Sequence, residues 1–261
     1  MILLSTNMYT NEEFEQAFYF VEKYPQIGLE LFPLWNTEEY GRLMEQYEDK
    51  LKKIPNSFHE QYFGSEHSAS EGHAMYEFTE DATKKTVALA KKLNSHYIVY
   101  HYNNCEVTEE NRTRMLENAR KNLKRANELA KENGVQFVIE NVGVLSRHNV
   151  LLSEQEFIDE CRMQPNHVLI DIGHAWCNGW NLENVIASLK DKIIAYHVHN
   201  NHGKGDSHQR IHNGTMDFDG FFELYKKYTP DAEMVIEYAA DVRTDIQGIE
   251  DDIKELLAKG V

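Results

Sequence analysis

A closed (β/α)8 barrel, the TIM-barrel class of α/β fold, is predicted from three observations. Short apolar or β-branched runs recur along the whole chain, a segment of helical period follows each of them, and the length of 261 residues matches one such barrel. Mostly apolar strands separated by helices imply a parallel sheet covered on both faces. A doubly wound open sheet is the alternative, but no GxGxxG follows any strand. No linker, charge block or repeat divides the chain, so residues 1–261 are expected to form a single domain.

The eight strands are predicted at residues 2–9, 27–32, 54–59, 96–102, 135–141, 167–172, 193–199 and 233–238. Thr10 with Glu13 and Ser153 with Glu156 have capping-box spacing, and Asn36 with Glu39 is a weaker version. A long helix is predicted over 109–133, and Gly134 follows it where a left-handed cap belongs. Its basic residues alternate with glutamates at helical spacing, the pattern of a solvated face.

Composition narrows the function. With 41% hydrophobic and 27% charged residues the chain can fill a sizeable core. Acidic residues outnumber basic ones 43 to 27, for a net charge of −16, which disfavours nucleic acid and anionic membrane. Cys105, Cys161 and Cys177 are an odd set without CxxC spacing, so no disulfide framework is expected. The N-terminal segment has neither a basic flank nor a long apolar run. A cytoplasmic protein is the expectation; oligomeric state is not legible.

The ends of the strands carry the chemistry. The last six predicted strands end at or near His59, His101, Glu140, Asp171, His197 and Glu237. In a barrel those ends converge on one mouth, where active sites are built. A single polar residue there would be an ordinary satisfied buried group, but six in phase, all of metal-ligand type, argue for a site. His174, three residues beyond Asp171, and the Asp206-Ser-His208 triplet extend the set. Nitrogen and oxygen donors without a thiolate suit zinc, manganese or iron. Carboxylates so crowded would raise one another's pKa unless cations lie between them.

The segments FHEQYF, VYHYN, VIEN, LIDIGHA, YHVHNN…DSH and VIEY resemble, in order and spacing, the xylose-isomerase-like TIM-barrel superfamily. That superfamily includes sugar-phosphate isomerases and epimerases, inositol-catabolism isomerases and dehydratases, and endonuclease IV. The resemblance implies one divalent ion held by Glu140, Asp171, His197 and Glu237, the isomerase pattern. Further ligands of the endonuclease IV type match His59, His101, His174, Asp206 and His208, for up to three zinc ions. His212 stands where the family commonly has glycine.

Two function classes follow. The first is a metal-dependent isomerase or epimerase of a small carbohydrate, with Glu140 and Glu237 moving a proton through a metal-stabilised enediolate and His174 bonding a substrate oxygen. Arg210, Trp176 and His199 are expected to contact substrate, and Arg147 is a second candidate for a phosphate. The second is a zinc phosphodiesterase or AP endonuclease, to which the Tyr62-Phe63 pair also points as a resemblance to the residues endonuclease IV inserts into DNA. The acidic charge favours the first.

Overall fold

Eight parallel strands close into one barrel in chain order, β1 through β8, with β8 returning to pair with β1. The computed structural model describes all residues, 1–261. The strands are β1 (Ile2–Ser5), β2 (Gly28–Leu31), β3 (Asn56–Phe58), β4 (Ile98–Tyr100), β5 (Phe137–Glu140), β6 (His167–Asp171), β7 (Ile193–Val198) and β8 (Glu233–Ile236). Each falls inside its predicted range, trimmed where the chain turns polar. The helices are α1 (Ala17–Lys23), α2 (Glu38–Leu51), α3 (Ala74–Leu93), α4 (Arg112–Asn133), α5 (Glu154–Met163), α6 (Ile172–Cys177), α7 (Leu182–Leu189), α8 (Phe218–Tyr228) and α9 (Ile246–Ala258). The connection from β6 to β7 holds two of them, α6 and α7.

Strand alternation divides the buried residues into two sets. Ile98, Tyr100, Phe137, Ile139, Val168 and Ile170 join the main core between sheet and helices. Tyr97, Val99, Val138, Leu169 and Ala195 form a separate cluster, the packed barrel interior. Two residues beyond Val99, Val138, Leu169 and Ala195 in the same phase stand His101, Glu140, Asp171 and His197. The strand period that fills the barrel with apolar side chains thus delivers polar ones to its mouth.

Helix ends follow local chemistry. Ser153 and Glu156 form the full capping box at α5, and Gly134 closes α4 at φ +72°. Thr10 and Glu13 make only half of one, the Glu13 carboxylate accepting the Thr10 N–H at 3.2 Å ahead of a short 3-10 turn. At α2 the cap is Thr37, not Asn36, and no side chain caps it. The three cysteines are free. No helix is long and apolar enough to cross a membrane.

Candidate metal centre

His197, fully buried on β7, sits at the middle of the barrel mouth. Its Nε2–H donates to both carboxylate oxygens of Glu30, at 3.2 and 3.1 Å. That bond fixes the tautomer and turns the Nδ1 lone pair to the opposite side. There Nδ1 meets Glu140 Oε1 at 3.3 Å, Glu237 Oε2 at 3.4 Å and Asp171 Oδ2 at 3.8 Å. Despite these neighbours His197 Nδ1 has no hydrogen-bond partner, although it is buried. A lone pair and three carboxylates gathered without a donor among them have the composition of a cation's ligand sphere, and they fit a divalent ion.

Four further imidazoles repeat this logic with the ring reversed. His59 Nδ1 donates to the Glu60 carbonyl at 2.9 Å, and His101 Nδ1 to Asn104 Oδ1 at 2.9 Å. Their Nε2 atoms face Glu140 Oε2 at 3.7 and 2.9 Å. On the other side His174 Nδ1 donates to the Asn141 carbonyl at 3.1 Å, and His208 Nδ1 to the Glu237 carbonyl at 3.0 Å. Their Nε2 atoms face the Asp206 carboxylate at 3.3 and 3.0 Å. Asp206 Oδ1 is itself buried without an aligned donor. Each second nitrogen is thus held by an oxygen of the protein, the arrangement that orients metal-binding histidines. Ligand atoms of His59, His101 and Glu140 lie within 4.8 Å of one another, as do those of Glu140, Asp171 and His197. A third such group is Asp171, His174, His199 and His208.

The electrostatics of the protein alone follow from this crowding. Burial by itself would raise the Glu140 carboxyl, but His197 and His101 outweigh it and hold it well below the usual carboxylate range. Burial likewise opposes protonation of His101 and His208. The carboxylates of Glu140 and Glu60 push His101 up to about 9, and those of Asp206 and Glu237 push His208 up to about 9. Against burial, His174 and His199 bring Asp171 down to about 2. Without a metal, protons on the imidazoles supply the positive charge that the carboxylates require.

Above this floor opens a cavity of about 390 Å³. Phe32, Tyr62 and Phe63 line one part of it, and Arg147 with the loop beyond β5 lines another. His59, His101, Glu140, His174, Asp206, His208 and Glu237 reach its surface.

Three residues expected against substrate lie elsewhere. Arg210 forks onto Asp252, with Nε and Nη2 each at 2.8 Å, and adds Asp245 at 3.0 Å, so it pins the loop after β7 to α9. Trp176 is outside the cavity lining; its indole N–H donates to Thr215 Oγ1 at 3.2 Å. His199 is wholly buried and donates from Nε2 to both Asp171 oxygens at 3.0 Å, which makes it a support for that carboxylate. The backbone passes so close to its ring that a Cβ on Gly173 would lie 2.1 Å away. His212, the departure in the loop, bonds Glu255 at 2.9 Å on the surface.

Sequence reasoning missed several supports. Glu30 is one, though a charge between leucines in IGLELF, in the phase that faces the interior, was a usable signal. Glu60 is another: buried, it pairs with His67 and lies 3.4 Å from His101 Nδ1. Glu66 accepts from the backbone N–H groups of Ser68, Asn104 and Cys105 and so ties the loop after β3 to the loop after β4.

An uncharacterised protein of Methanocaldococcus jannaschii is 29% identical over 177 residues, 68% of each chain. The fold is also that of a D-tagatose 3-epimerase-like protein, with TM-score 0.76 and 17% identity over 98% of this chain and 99% of that one. The IolI protein crystallised with a zinc atom superposes at TM-score 0.78, with 15% identity over 100% and 99% of the two chains. A sequence profile of the xylose isomerase-like TIM barrel matches residues 11–259, nearly the whole length. By that match, and in keeping with its closed barrel, this chain belongs to the xylose isomerase-like TIM barrel family.

Proposed function

We propose that the protein is a divalent-metal-dependent isomerase or epimerase of a small polyhydroxy carbonyl compound, a sugar, sugar phosphate or inositol derivative. The carrying observation is that Glu140 and Glu237, from β5 and the end of β8, come within 3.3 and 3.4 Å of one imidazole nitrogen at the floor of a cavity of monosaccharide size. Glu140, Asp171, His197 and Glu237 would hold the ion, zinc or manganese. When bound, it supplies Lewis-acid polarisation of the substrate carbonyl.

The chain's own residues do the rest. One of Glu140 and Glu237 takes the proton from the carbon beside the carbonyl. The other returns one either to the former carbonyl carbon, for isomerisation, or to the opposite face of the same carbon, for epimerisation. The His174 imidazole at the cavity wall hydrogen-bonds a substrate oxygen. Phe32, Tyr62 and Phe63 keep water from one side and offer ring faces for a sugar to stack on. The epimerase-like and zinc-binding relatives in fold support this reading, and the charge of −16 works against a duplex nucleic acid.

Solvent deuterium tests it: the enzyme should wash deuterium into the carbon next to the carbonyl of its substrate. Glu140→Gln and Glu237→Gln should each slow that exchange by roughly 10²–10⁴. No exchange on any sugar of a broad panel would reject the proposal.

One observation favours a second reading. His59, His101, His174, Asp206 and His208 add nitrogen and oxygen donors on both sides of the central set, enough for up to three zinc ions and the phosphodiester chemistry of an AP endonuclease. Cleavage of an abasic duplex at physiological salt, with solvent oxygen placed on phosphorus and no carbon exchange, would select it.

A further inference from the structure

Of the residues that line the cavity, Arg147 alone carries a permanent positive charge. It closes the 3-10 turn Leu145–Arg147 in the connection from β5 to α5. That turn is strongly built. Asn149 Oδ1 accepts the Val144 N–H at 2.9 Å, and Asn178 Oδ1 accepts the Leu145 N–H at 3.0 Å. Asn178 also donates to the Gly143 carbonyl at 2.9 Å, and Asn103 donates to the Asn149 carbonyl at 2.9 Å. Gly143 has φ +90°, and a Cβ there would lie 2.3 Å from the Asn149 carbonyl oxygen.

The guanidinium on this rigid turn is under-used. Its side chain is half exposed, and its protein contacts go to one residue: Nη1 lies 3.3 Å from Asp206 Oδ2, and Nη2 donates to the Asp206 carbonyl at 3.4 Å. The same carboxylate faces His174 and His208 as well, so Arg147 is not its sole support. Most of the five N–H donors of the fork remain without a protein partner. In a protein of charge −16, an anion gains little from the overall field and needs a local cation to hold it.

We infer that Arg147 binds an oxyanion on the substrate, a phosphate ester or a carboxylate, so that the substrate class is the anionic polyhydroxy carbonyl compound. The carbon skeleton rests on the isomerase reading; the oxyanion site does not. A planar fork on a fixed turn matches either group with paired hydrogen bonds.

The test compares metal-loaded wild-type protein with Arg147→Gln on one ketohexose in three forms: neutral, phosphorylated at the terminal carbon, and oxidised there to a carboxylate. For one of the charged forms, wild-type kcat/KM should exceed the neutral value by about 10- to 100-fold. The preferred form identifies the oxyanion. The variant should lose that preference mainly through KM. Wild-type protein without preference would overturn the inference, as would a variant that slows all three forms equally, because Arg147 would then act only through Asp206. If no sugar exchanges, inorganic phosphate decides by calorimetry: about tenfold tighter binding to wild type supports the site, and equal affinity overturns it.

Discussion

Glu30→Gln should weaken metal binding without unfolding the barrel. Glu30 is fully buried, and both its oxygens take the His197 Nε2–H, at 3.2 and 3.1 Å. A hydrogen bond to a buried charge contributes about 1.5–3 kcal/mol, which corresponds to roughly 10- to 150-fold in an equilibrium constant. The glutamine oxygen can still accept, so the expected loss is about 10- to 100-fold, the usual scale for a residue that orients a metal ligand. The side chain keeps its volume, but its amide must find an acceptor in a dry interior, at about 1–3 kcal/mol of stability. Metal-stripped wild-type and variant proteins would be titrated with zinc and with manganese against a competing chelator, with circular dichroism as the check on folding. Affinity within twofold of wild type, in a folded variant, would refute the claim that Glu30 aims His197 at the three carboxylates.

His101→Ala should lower the number of bound ions without emptying the site, since His101 faces Glu140 Oε2 together with His59 whereas His197 faces Oε1; an unchanged stoichiometry, measured by elemental analysis, would leave a single-ion centre. The metal-free protein should lose stability as pH rises. His101 and His208 are raised to about 9 in the fold, so their contribution is complete below about 6.5, the unfolded imidazole value, and fades as pH passes 9; a melting temperature that climbs over that interval would contradict the network. Arg210→Met should destabilise the fold by about 3 kcal/mol, because it removes the charged partner of the buried Asp252 carboxylate and leaves it only the Tyr238 hydroxyl, yet leave metal content per folded molecule unchanged. Denaturant titration paired with elemental analysis reads both.

Much of this was legible in the chain because a barrel strand has only two phases. His101, Glu140, Asp171 and His197 share the interior phase of Val99, Val138, Leu169 and Ala195, so an apolar run that ends in a ligand-type residue points to the mouth. Glu30 escaped because attention to the ends of runs passes over a charge followed by Leu31 and Phe32. Arg210 misled because it lies only two residues past His208. The bridge between Asn200 and Gln209 closes that loop, and the arginine beyond it meets α9. Trp176 misled for a helical reason: two residues after His174 on α6 is about 200° around the axis, so the two side chains point apart. Distances along the chain suggested proximity; the turn geometry at each loop decided it.

Gly173 has a consequence for how a mutational map of this barrel should be interpreted. It has no side chain with which to hold a metal or a substrate, yet its missing Cβ is the space that the His199 ring occupies. Any larger residue must displace either that ring from Asp171 or the first turn of α6, which Asp171 caps by accepting the His174 N–H at 2.6 Å. Both routes disturb Asp171 and His174 together. Substitutions at this position would therefore mimic the loss of a ligand in every assay of metal content or turnover. A tolerance profile would rank it beside the histidines and carboxylates, although its whole contribution is room.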